Sequence, residues 1–168
     1  LIFFMAHFAK IGMDNKVIDL VYLRNIDNID PITGIEDESI GLEHLKKNHG
    51  HECWVQYSQH TYHNTHSQGR TPFRGNAPRI GWTYDSTKDV FIPPESDKPA
   101  PSWIWDDDIC YWKPPIDKPS EDTFTDEERN GIVNEDGSWK VRPYYWRWIE
   151  SEQKWEKTNV QFDYNVNI

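Results

Sequence analysis

At 168 residues and 20.0 kDa, the chain has length for one ordinary domain or two small ones sharing a seam. A formal charge of −10 and a mean hydropathy of −0.86 disfavour nucleic-acid backbones, and no run approaches the roughly 20 apolar residues of a membrane-spanning helix. Only 36% of the residues are apolar, but nine Trp, eight Tyr and seven Phe supply rings large enough to build a thin core.

The charge is uneven: residues 1–80 carry eight Lys/Arg against nine Asp/Glu, and residues 81–168 carry ten against nineteen. Cys53 and Cys110 are too few for a disulfide framework and read as reduced thiols. The opening Leu1-Ile2-Phe3-Phe4 is too short for a signal peptide, so Met5 is the expected natural start.

In chain order, residues 6–12 and 17–24 read as two strands joined at Met13-Asp14-Asn15-Lys16, where Asp-Asn tolerates positive φ. After a loop over 25–34, a helix is predicted over 37–48. Asp37 or Ser39 caps its start, Ile40, Leu42 and Leu45 form its apolar stripe, and Gly50 stops it. Residues 52–59 alternate as a third strand, giving β-β-α-β, and residues 60–78 read as a polar loop.

Eight of the nine Trp follow residue 80, in a repeat. Trp82-Thr83-Tyr84 precedes Phe91, Trp103-Ile104-Trp105 precedes Trp112, and Trp146-Arg147-Trp148 precedes Trp155. In each copy the second and third rings lie seven positions apart, which places them opposite each other across a hairpin with an even loop. The expected pairs are Tyr84–Phe91, Trp105–Trp112 and Trp148–Trp155, with Trp82, Trp103 and Trp146 on the same faces. Pro93-Pro94 and Pro114-Pro115 end the first two hairpins. Residues 121–129 read as an acidic turn or short helix between copies, and Asp136-Gly137 as a tight turn between Ile132-Val133 and Trp139. The fold class is therefore α+β, mainly β: an α+β domain over 5–80, then aromatic β-hairpin repeats over 81–168, the two forming separate domains or one continuous domain.

The rings Trp82, Tyr84, Trp103, Trp105, Trp112, Trp146, Trp148 and Trp155 are either the core of hairpins with little else to bury or exposed platforms for sugars or protein partners. A second candidate is the histidine-rich stretch. His49, His51 and Cys53 alternate, and His60, His63 and His66 recur every third residue; zinc takes such nitrogen and sulfur ligands, although no common zinc spacing is present. Asp106-Asp107-Asp108 lacks the glycine and distal Glu of a calcium loop. Cys53 with a histidine as nucleophile and base has no recognisable oxyanion hole, and no nucleotide or nucleophile-elbow motif occurs.

Met5-Ala6-His7-Phe8-Ala9-Lys10-Ile11-Gly12, Thr71-Pro72-Phe73-Arg74, Gly81-Trp82-Thr83-Tyr84-Asp85 with Phe91-Ile92-Pro93-Pro94, and Pro101-Ser102-Trp103 ahead of Trp112-Lys113-Pro114-Pro115 occur in that order. Over about residues 5–118 this resembles a family of small proteins from tailed phages of marine cyanobacteria. The acidic segment 121–141 and the run from His60 to His66 depart from that pattern. The resemblance implies a phage origin, with no established activity. The resulting expectation is a non-enzymatic virion accessory or structural protein, such as a decoration, neck or tail component. It would be made in the host cytoplasm and localised to the particle, with virion proteins or its own copies as partners and neither cofactor, nucleic acid nor membrane. The alternatives are a carbohydrate-binding module contacting host glycans through exposed Trp, and a small histidine-rich, metal-dependent host-takeover factor.

Overall fold

The computed structural model describes residues 6–160, with only the backbone of Asn25; the expected start at Met5 lies outside the described residues. The architecture is α+β and mainly β: a three-stranded sheet, short two-stranded hairpins and two helices. Two compact units divide the chain. The first is Leu1–Pro99 with Trp105–Trp112, and the second is Ala100–Ile104 with Lys113–Ile168. The sequence boundary at residue 80 thus falls inside the first unit.

The first unit is built on β1 (Ala6–Ile11), β2 (Val17–Leu23) and β3 (Trp54–Tyr57), in the antiparallel order β2-β1-β3. Because side chains alternate across a strand, the sheet has two distinct faces. On one, Ala6, Phe8, Leu23 and Trp54 pack with Leu45 of α1 (Glu38–His49). The helix begins where its sequence cap predicts: Asp37 accepts a hydrogen bond from Ser39 N at 2.8 Å, and Gly50 ends it in the left-handed region. Gly41 lies so close to Phe8 that an added Cβ would sit 2.5 Å from the ring, which explains a glycine inside the helix.

The opposite face of the sheet buries Ala9, Ile11, Val55 and Tyr57 against the first aromatic hairpin. That hairpin is β6 (Thr83–Asp85) with β7 (Val90–Ile92), and it is stitched to β2 by Val17 N to Trp82 O and Gly81 N to Val17 O, both 2.8 Å. Phe91 is fully buried there, 6.3 Å from Tyr57 and 5.0 Å from Tyr84 between ring centroids. This packing moves the boundary: β6–β7 is the second cover of the sheet, not the start of another domain.

Residues 60–78 are more than the polar loop expected. They contain the small hairpin β4 (Thr61–Tyr62) and β5 (Thr65–His66), turned at His63-Asn64 with both residues at positive φ, and then a strap that runs under the hairpins. Residues 105–112, from β8 (Ile104–Asp106) and β9 (Tyr111–Lys113), complete the unit.

In the second unit, α2 (Asp126–Asn130) opens with a reciprocal capping box, Thr125 with Glu128. There follow β10 (Ile132–Val133) and β11 (Trp139–Val141) around Asp136-Gly137, then β12 (Tyr145–Ile149) and β13 (Lys154–Thr158). Phe124 is buried and stacks on Trp146 at 5.5 Å, while Lys157 reaches Glu128 at 2.6 Å. The acidic insertion is therefore docked on the third aromatic hairpin.

Candidate functional site

The seven-residue spacing gives the expected pairs. Tyr84 faces Phe91 and Trp148 faces Trp155 in register, while the Trp105 and Trp112 rings meet edge to face at 5.5 Å. The loops hold four residues, and the last of each is left-handed: Asp89, Cys110 and Gln153 have φ of 52°, 48° and 45°. Asp85 and Asp106 organise the first two loops by accepting hydrogen bonds from backbone N–H groups two and three residues on. The third copy has Ile149 at that position and turns through the short 3-10 segment Glu150–Glu152 instead.

None of the eight candidate rings stands clear of the protein. Trp112 is buried and the other seven are half-buried. Trp82 and Tyr84 belong to the core against the sheet. Trp103 meets Trp155 at 6.4 Å, and Trp155 in turn meets Trp148 at 5.4 Å. Trp105 Nε1 donates to Asp107 and Trp148 Nε1 to Glu150, and the indole N–H groups of Trp103, Trp112 and Trp146 are buried. These rings pack against neighbouring side chains, and of the nine tryptophans only Trp139, outside the candidate set, is exposed.

The candidate metal ligands do not converge. His49, His51 and Cys53 alternate in sequence, but β3 starts only at Trp54, so no strand aligns them. His49 ends α1, His51 hydrogen-bonds Ile11 O at 2.7 Å, both rings lie edge-on to Trp54, and Cys53 is exposed. His63 stacks on Tyr111 at 3.7 Å, and burial lowers its pKa. His60 and His66 approach each other at 5.6 Å on the β4–β5 hairpin and line a cleft of the first unit. No group of three metal-ligating side chains occurs among the described residues. Asp107 is held by Lys88 at 2.6 Å, which lowers its pKa, and Asp106 caps its turn. Both cysteines are free, and burial raises the Cys110 thiol.

Sequence reasoning missed the strap over residues 71–77. Arg74 sends Nη1 and Nη2 to Glu38 at 2.7 and 3.1 Å, Nε to Asp89 at 2.7 Å, and Nη1 to Gln56 O at 2.7 Å. Glu38 also accepts from Gln56 N at 2.9 Å, so α1 and Arg74 together seal the outer edge of β3. Tyr84 donates to Asp89, and burial with that bond pushes its pKa up to about 12. Asn76 is buried and fully used: its amide donates to Phe91 O at 3.0 Å and Cys110 O at 2.8 Å, and its oxygen accepts from His63 N at 2.8 Å. Gly75 beside it is left-handed, and a Cβ there would meet Val90 at 2.4 Å. The only sequence hint was Phe73 and Ala77, apolar residues in an otherwise polar stretch.

Outside this network, apolar side chains reach solvent from an ordered segment. Between β2 and α1, Asp30 turns the chain by accepting from Ile32 N at 2.7 Å, Asp30 N donates to Ile35 O, and the buried Asn28 amide donates to Glu36. On that frame Ile26, Ile32 and Ile35 are 79%, 92% and 67% exposed. No helix among the described residues is long and apolar enough to cross a membrane. No family model, curated protein or solved structure matches the chain.

Proposed function

We propose that the chain is a non-enzymatic accessory component of a phage particle, a decoration, neck or tail protein that works through protein–protein contacts. The observation that carries this reading is the 25–36 segment, hydrogen-bonded within itself yet presenting Ile26, Ile32 and Ile35 to water. Apolar side chains held out by an ordered frame are stabilised when a partner surface covers them. The phage resemblance of residues 5–118 supplies the setting. The charged groups with the best geometry, Arg74, Glu38 and Asp89, bind one another, which suits a scaffold more than a reaction centre.

A glycan contact through the tryptophans has less support, because the repeat rings are packed on one another. The metal-dependent reading has less still, because the histidines are dispersed. Mass spectrometry of density-purified particles tests the proposal: the chain is expected at a constant copy number per particle, and its absence from them sinks the idea.

A further inference from the structure

We infer that the cleft of the first unit is a binding site for a neutral saccharide, independent of the particle role proposed above and separate from the tryptophan repeats. The cleft encloses about 490 Å³, within the usual range for small-molecule sites, and all its lining residues belong to the first unit.

Its lining includes the aromatic ring of Phe73, which is 36% exposed. This ring is held firmly: its backbone N donates to the fully buried Thr61 at 3.1 Å, and the Arg74 guanidinium lies over it at 4.7 Å. Arg74 is itself fixed by Glu38 and Asp89, so the ring is a platform with a rigid backing. The face of an aromatic ring is negative, and the C–H groups on one side of a pyranose are its natural cover.

The walls suit hydroxyl groups. The Gln68 backbone N–H donates to His66 Nδ1 at 3.2 Å, so in the neutral ring the proton sits on Nε2 as a donor. Burial, with His60 and Arg70 nearby, keeps the His66 pKa low and the ring neutral at pH 7. The amides of Gln59 and Gln68 offer both donors and acceptors. Arg70 and Glu36 bring one guanidinium and one carboxylate to the lining, opposite in sign. A phosphate or carboxylate ligand therefore gains no net attraction from this pair, and a polyhydroxylated neutral one matches the mixture of amide, hydroxyl and imidazole groups.

Saturation-transfer NMR on the purified chain, with maltose, cellobiose, lactose and N,N′-diacetylchitobiose as probes and glucuronate as the charged comparator, tests this. Transfer to the ring C–H protons of at least one neutral sugar is expected. The affinity should fall at least tenfold in Phe73→Ala, be retained in Phe73→Tyr, and be unchanged in Trp139→Ala. Because Phe73→Ala uncovers Arg74, Gln68→Ala serves as a second variant and should also weaken binding, with folding of each checked by circular dichroism. Transfer to none of the sugars, transfer to glucuronate alone, or binding lost in Trp139→Ala but kept in Phe73→Ala and Gln68→Ala would each overturn the inference.

Discussion

Single residues in the strap decide whether the first unit holds together. Asn76→Asp keeps the oxygen that accepts from His63 N but turns the donor that serves Phe91 O and Cys110 O into an acceptor. Buried polar groups left unsatisfied cost about 1–3 kcal/mol each, so this near-isosteric change should lower stability by roughly 3 kcal/mol or more in chemical denaturation. Tyr84 gives a pH signature. Its folded pKa, pushed up to about 12 by burial and the bond to Asp89, lies above the unfolded value near 10. The stability it contributes is complete below about pH 10 and is lost as pH rises toward 12. Thermal melts should show that alkaline loss in the wild type and a smaller one in Tyr84→Phe. Tyr84 was legible in the sequence as the partner of Phe91, whereas nothing marked Asn76 as structural. Asn76 sits in a polar stretch whose composition is that of a surface loop, and its burial arises from contacts 13, 15 and 34 residues away along the chain.

At the scale of elements, the sequence was informative wherever the determinant was local. The helix showed its Asp37 cap and Gly50 stop, and the hairpins showed aromatic pairs seven positions apart. What a local pattern does not carry is which face covers which. Trp82, Tyr84 and Phe91 read as a repeat unit, but their energetic role is to bury the second face of the β2-β1-β3 sheet. Likewise, alternation of His49, His51 and Cys53 suggested a shared face that the αL cap at Gly50 removes before β3 begins. The shared loop geometry has its own consequence. Gln153 is exposed and left-handed, a conformation that costs an L-residue roughly 1 kcal/mol, whereas glycine adopts it freely. Gln153→Gly should therefore raise stability by up to about 1 kcal/mol, seen as a higher denaturant midpoint. In α2, Thr125→Ala removes one arm of the capping box and should cost about 1 kcal/mol.

For the whole molecule, the described residues form a framework whose repeat rings and best-placed ion pairs bind one another, and the isoleucine-bearing segment before α1 is its most exposed apolar stretch held by its own hydrogen bonds. Dispersed histidines predict that native mass spectrometry after zinc addition finds no stoichiometric metal; one zinc per chain would make the histidine stretch a site after all. The central claim, that the chain works by contact on a particle, is tested most directly by absolute quantification of purified particles. One preparation would carry the wild-type chain and the other a chain with Ile26, Ile32 and Ile35 changed to Asp. The account predicts a fixed copy number for the wild type and loss of the folded variant from the particle. A wild-type chain absent from particles, or a variant incorporated as well as the wild type, would contradict it.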